Sequence, residues 1–300
     1  GSSTVYPITE AVAEEFQKSR KGKVRVTVGI SGTGGGFKKF CRNETDISNA
    51  SRPILKAEMA DCQKAGVEYF ELPVAFDALT VVINPKNTFI KQLTVSEMKK
   101  MWEPAAQGKV TSWNQVNPAW PNQPMKLFGP GADSGTFDYF TEAVVGKSKS
   151  SRGDFTASED DNVLVQGVSR DPNALGYFGF AYYVENRDKL KAVPIVNEKG
   201  RPVTPSMEAV EKGIYSPLSR PIFIYISVKS LQKPEVKEFV EYYMRHGGKL
   251  AREVKYVPLP DSAYRMALQH VQRGKKGTVF GGVAEVGITI EELLKREAKL

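Results

Sequence analysis

Two long apolar runs, Leu72–Ile83 and Pro221–Val228, constrain this chain more than any other feature. Each has the length and the β-branched, aromatic content of a buried strand. The first is broken only by Asp77, which suits a strand that runs on past one sheet. Together they bracket residues 83–221, the pattern of two lobes joined by two crossing strands. The expected division is residues 1–82 plus 222–300 as one lobe and 83–221 as the other. A length of 300 residues agrees with about two domains.

Around these strands, short β-like runs alternate with helical patterns, which argues an α/β class. Residues 7–19 read as a helix with Ile8, Val12 and Phe16 on one face. Val24–Val28 alternates with Arg25 and Thr27 and reads as a strand. Residues 35–42 read as a helix with Phe37, Phe40 and Cys41 inward, and Asp46–Pro53 as a short strand that delivers Ser51 and Arg52. Phe137, Phe140 and Val144 mark a helix that begins near Ser134. Residues 163–168 look helical, Tyr177–Tyr183 reads as an aromatic strand, and Pro234 opens a further helix.

Composition removes several classes. Aromatic residues make up 10% of the chain, enough apolar area to exclude disorder as the main state. No apolar run approaches the ~18 residues of a membrane span. Two cysteines exclude a Cys₄ zinc site, and His246 and His270 alone give no support to His-rich metal chemistry. The net charge of +8 permits an anionic ligand. The basic runs Lys18–Lys23 and Arg273–Lys276 lack interleaved aromatics, so they read as solvated charge and no nucleic-acid partner is expected. Cys41 and Cys62 are unlinked small hydrophobes in a reducing compartment and one disulfide in an oxidising one.

Three Gly/Ser/Thr-rich turns each precede a helix: GSSTVYP at 1–7, GISGTGGGF at 29–37 and FGPGADSGTF at 128–137. A helix start offers unpaired N–H groups and partial positive charge, and glycine lets an anion approach them. One such turn is an ordinary cap, whereas three suggest a convergent anion pocket. Arg52, at the end of DISNASRP, has the planar fork that clamps a tetrahedral oxyanion.

Enzyme motifs fail. The turn at 129–136 lacks the lysine of a nucleotide P-loop, Phe37 replaces the last glycine of the best G-x-G-x-x-G candidate, and no G-x-S-x-G surrounds Ser31 or Ser134. Ser96–Lys99 matches S-x-x-K without its companion motifs, so Ser96 reads as a helix cap. Glu159, Asp160 and Asp161 read as charges at a helix start and not as a metal cluster.

The three turns, the ALGYFGFAYY run at 174–183 and the SPLSRPIFIYIS run at 216–227 resemble, in order and over essentially the whole chain, the periplasmic phosphate-binding component of bacterial phosphate ABC transporters, the PstS type, and more closely its SphX-like branch. The resemblance implies an α/β, two-lobed type II periplasmic-binding-protein fold with two crossing hinge strands. It implies phosphate in the cleft with hinge closure, permease subunits as partners, a monomer, no cofactor, no metal and no catalysis. It also implies export, with a leader removed ahead of Gly1 and a lipid anchor as one form of it. In that oxidising setting Cys41 and Cys62 are expected to be bridged.

Position by position, Thr4 and the backbone of Val5 match the first phosphate-binding turn, and Thr33, with Ser31 close by, the second. Ser51 and Arg52 follow, and Ser134, Gly135 and Thr136 match the third. Familiar members carry an aspartate where this chain has Arg52, and an arginine where it has Pro130. Asp77 and Asp133 are then the candidates for the carboxylate that accepts the phosphate proton, or for salt bridges that orient Arg52. Sulfate, molybdate and a phosphate ester under hydrolysis are the competing ligands.

Overall fold

A computed structural model describes residues 1–132, 134–285 and 287–300. The chain forms two compact units, Gly1–Asp77 with Arg220–Leu300, and Ala78–Ser219. The divisions fall within the two long strands, between residues 77 and 78 and between 219 and 220, where the sequence reading put them at 82/83 and 221/222.

Along the chain, α1 (Tyr6–Ser19) buries Ile8, Val12 and Phe16, the spacing of one helical face. Then come α2 (Thr33–Phe40), β1 (Ile47–Ala50) and α3 (Lys56–Lys64). β2 (Tyr69–Ile83) is buried along its whole length. The second unit continues with α4 (Val95–Trp102), β3 (Lys126–Gly129), α5 (Gly135–Val145), β4 (Thr156–Ala157), α6 (Asp161–Arg170), β5 (Ala174–Gly179) and α7 (Phe180–Glu185). The short pieces β6 (Lys191–Ala192), β7 (Ile195–Val196), β8 (Pro202–Val203) and α8 (Met207–Glu211) follow. β9 (Ser219–Ser227), buried throughout, leads back into the first unit and its helices α9 (Pro234–Glu253), α10 (Asp261–Gln272) and α11 (Ile290–Ala298).

In the first unit β1 pairs antiparallel with β9, Ile47 opposite Ile226 and Ala50 opposite Phe223, and β9 lies beside β2. Phe16 packs edge-on to Phe239, and Phe37 edge-on to Tyr225, so the helices are seated by aromatic contacts. In the second unit β2 pairs antiparallel with β5, and β5, β3 and β4 run parallel. One buried cluster of this unit joins Val82, Leu164, Val168 and Phe178, and Tyr177 stacks on Phe140 at 3.7 Å and lies edge-on to Trp102. Two α/β units linked by β2 and β9 are the expected fold class.

Three local readings need correction. Val24–Val28 is not part of any sheet, although its alternation is right: the valines are half-buried while Arg25 and Thr27 are exposed. A cavity stands between it and β1, so it lacks a partner. The aromatic run at 177–183 is half strand and half helix, because the chain turns at Gly179 into α7. Ser96 lies inside α4. Its cap is Thr94, whose hydroxyl accepts from Glu97 N at 3.0 Å while Glu97 returns the bond in a capping box. The acidic run behaves as read, with Asp160 capping α6.

Two buried ionisable groups meet where α11 packs on α10. Glu297 is 3% exposed, and its Oε2 lies 3.3 Å from His270 Nδ1. Burial, with the Glu71 charge adding, pushes Glu297 up to about 8. Burial also lowers His270, with Arg273 and Lys275 adding to the effect. Both groups are therefore held toward their neutral forms. A raised acid gives stability that is complete below its ordinary value of 4.5 and lost as pH climbs through about 8. The lowered imidazole costs stability in the opposite direction, as pH falls through its ordinary value of 6.5. The midpoint of thermal unfolding is expected to fall from pH 6.5 to pH 9, and Glu297→Gln to flatten that slope. Unfolding followed by circular dichroism across this range checks it; an equal slope in both proteins sinks the assignment.

Candidate functional site

The first unit gathers two helix starts at the C-terminal end of β1. Thr33 opens α2, and its Oγ1 accepts from Ser51 N at 3.1 Å and lies 2.9 Å from Ser51 Oγ. The turn before it passes through Gly32 at φ 76°, a conformation glycine adopts without strain. Gly36, one turn into α2, is also required: a Cβ there would sit 2.8 Å from Gly1 Cα and from Ser48 Oγ. At the start of α1, Ser2 Oγ accepts from Thr4 N at 3.1 Å and Val5 N at 3.4 Å, and Ser2 N donates to Asn49 O on β1 at 2.9 Å. β1 thus ties both helix starts together. Ser31 is turned elsewhere: its hydroxyl accepts from the Gly1 ammonium at 3.0 Å.

Two arginines stand at this end of the unit, in different states. Arg52 lies bidentate on Glu58, at 2.8 and 3.0 Å, with a third bond to Pro53 O at 3.2 Å. Its charge is compensated by a carboxylate that also caps α3 through Leu55 N. The sequence makes Asp77 a candidate to orient Arg52, but Glu58 does this. Arg220 is 3% exposed, at the start of β9; its Nη2 donates to Thr4 Oγ1 at 3.0 Å and lies 3.6 Å from Asp77 Oδ2. The sequence reading missed Arg220. The signal was present, since Ser219-Arg220-Pro221 repeats the Ser51-Arg52-Pro53 tripeptide.

Cys41 and Cys62 form a disulfide, which joins the end of α2 to α3 and closes the loop that carries β1, Ser51, Arg52 and Glu58. In the second unit Ser134 caps α5, its Oγ accepting from Thr136 N at 3.1 Å, and Gly135 is the first helical residue. Asp133 lies outside the described residues. Among the described residues no group of three His, Cys, Asp or Glu could hold a metal ion, and no helix is long and apolar enough to cross a membrane.

Residues 1–246 match the family model described as the PBP superfamily domain, so the chain belongs to the PBP superfamily. Within it, the chain belongs to the family of the SphX and PstS proteins. It is 56% identical to the protein SphX of Synechococcus elongatus over 297 residues, 99% of this chain and 87% of that protein. It is 39% identical to the phosphate-binding protein PstS of Staphylococcus saprophyticus, over 88% of this chain and 80% of that protein. A solved structure of a possible phosphate binding protein from Planctomyces limnophilus superposes with a TM-score of 0.78 at 50% identity, covering 91% of this chain and 96% of that one.

Proposed function

We propose that this chain binds inorganic phosphate outside the cytoplasm and delivers it to the permease subunits of an ABC transporter, as a binding protein without catalytic activity. The observation that carries the reading is the buried Arg220–Thr4 hydrogen bond at the start of α1, with Asp77 beside it. The names of the relatives, SphX and phosphate-binding PstS, support it. An oxyanion bound here takes charge-assisted bonds from Arg220 and hydroxyl donors from Thr4, Thr33 and Ser51. Within the second unit, Ser134, Thr136 and the backbone at Gly135 form a helix start of the same kind. Arg220, and not Arg52, is the principal charge in this reading, because Glu58 already compensates Arg52.

Phosphate near neutral pH keeps at least one proton and sulfate keeps none. A buried carboxylate accepts a hydrogen bond from the first and repels the second. In this reading Asp77, 4% exposed, takes that role. Asp77→Asn is expected to raise sulfate binding at least tenfold relative to phosphate. Calorimetric titration of ligand-stripped protein with phosphate, sulfate and arsenate tests the function and this ratio together. Heat from sulfate alone would make the chain a sulfate binder. Release of product from a chromogenic phosphate ester would make it a hydrolase.

A further inference from the structure

After α9 the chain reverses at Lys255, which takes the left-handed conformation at φ 71°. Tyr256 N returns to Ala251 O at 2.9 Å and Lys255 N to Arg252 O at 3.0 Å, so α9 closes in a Schellman turn. Residues 256–259 then form a strap laced to β2. Val257 pairs antiparallel with Phe76: Phe76 N donates to Val257 O at 2.8 Å, and Val257 N to Phe76 O at 3.0 Å. Leu259 N donates to Tyr264 Oη at 3.1 Å, and Tyr264 Oη donates to Val74 O at 2.7 Å. The residue paired with Val257 is the one immediately before Asp77.

The first residue of the strap reaches another part of the site. Tyr256 Oη donates to Thr4 O at 2.6 Å. α1 rests its own ladder on the next carbonyl, Val5 O, which accepts from Ile8 N at 3.1 Å and Thr9 N at 3.2 Å. Thr4 is thus held at three atoms: its N donates to Ser2 Oγ, its O accepts from Tyr256, and its Oγ1 accepts from Arg220 Nη2. The body of α1 has separate anchors. Thr9 Oγ1 donates to Asn49 Oδ1 at 3.1 Å and lies 2.8 Å from Tyr243 Oη. Removing the Tyr256 hydroxyl therefore frees Thr4 without unseating the helix.

We propose that Tyr256 is a positioning residue of the anion site. Its hydroxyl fixes the carbonyl of Thr4 and so aims the Thr4 hydroxyl toward Arg220. Its neighbour Val257 fixes Phe76 and so sets Asp77 on the same frame. One strap thereby spaces Thr4 from Asp77, and both from Arg220. The inference rests on the phosphate reading above. A displaced donor costs affinity because a hydrogen bond weakens steeply as its angle closes. Phenylalanine at position 256 keeps the ring and removes only the bond.

The test is a double-variant cycle read by phosphate calorimetry, on wild type, Tyr256→Phe, Thr4→Val and the two combined. Amide exchange of the ligand-free proteins accompanies it. Tyr256→Phe is expected to lower phosphate affinity about tenfold. In the Thr4→Val background the same change should cost less than about twofold, because the hydroxyl it aims is gone. The Thr4 and Val5 amides should exchange about fivefold faster in Tyr256→Phe, while the Val257 amide keeps its wild-type rate. Wild-type affinity in Tyr256→Phe overturns the proposal. So does an equal loss in both backgrounds, which would make Tyr256 a general prop of the unit. If wild type itself takes up no phosphate, the phosphate reading fails; unchanged exchange at Thr4 and Val5 in Tyr256→Phe overturns the positioning separately.

Discussion

Arg220→Gln is expected to weaken phosphate binding by two orders of magnitude or more, about 3 kcal/mol at 1.4 kcal/mol per tenfold. A hydrogen bond to a charged group contributes about 1.5–3 kcal/mol, and Arg220 has a planar fork able to give two. Arg52→Ala should cost less than tenfold, because Glu58 accepts both of its terminal nitrogens. Arg220→Gln also removes a charged partner of buried Asp77, so part of any loss comes from folding. Arg220→Gln combined with Asp77→Asn separates the two effects: it restores the charge balance without restoring the fork. If the double variant folds normally and fails to bind while Asp77→Asn alone still binds phosphate, the fork is the binding group. Near-normal phosphate titration of Arg220→Gln, beside a large loss in Arg52→Ala, would return the principal charge to Arg52.

The contrast between these arginines shows what the sequence could and could not carry. The three turns were legible because helix starts need glycine and hydroxyl residues at fixed offsets, and Thr33, Thr4 and Ser134 stand at helix starts in the fold. α1 and α9 were legible from their apolar spacing, and β2 and β9 from their unbroken apolar character. The state of an arginine was not, because it depends on which carboxylate the fold brings to it. Glu58 reaches Arg52 only because α3 folds back beside β1, and Asp77 meets Arg220 only because β2 lies next to β9. Val24–Val28 has the period of a strand, but period reports a half-covered surface and not a pairing partner. Tyr177–Tyr183 misled because aromatic residues suit both a buried strand and the helix that follows Gly179.

The replacement of both Cys41 and Cys62 by alanine is expected to lower stability by about 3 kcal/mol, from the loop entropy that the cross-link removes from the unfolded chain. The bridge spans 21 positions. For a chain of this size the midpoint of thermal unfolding should fall by about 6–12 °C. Both sulfurs belong to buried residues, Cys62 at 0% and Cys41 at 4% exposure, so a reductant should reach them mainly through unfolding. The alanine variant is therefore a cleaner test than added thiol, and titration of unreduced wild type should find no free thiol. Inside the loop, Arg52–Glu58 and the bond from Lys56 N to Gly282 O remain as local restraints. They hold α3 in the folded protein but do nothing to restrict the unfolded chain, which is where the cross-link acts. Phosphate affinity, measured well below the unfolding midpoint, should accordingly fall far less than stability does. An unchanged midpoint would mean that the unfolded chain is already compact across this loop. A loss of affinity as large as that of Arg220→Gln would mean that the bridge, and not β1, sets the position of Thr33 against Ser51.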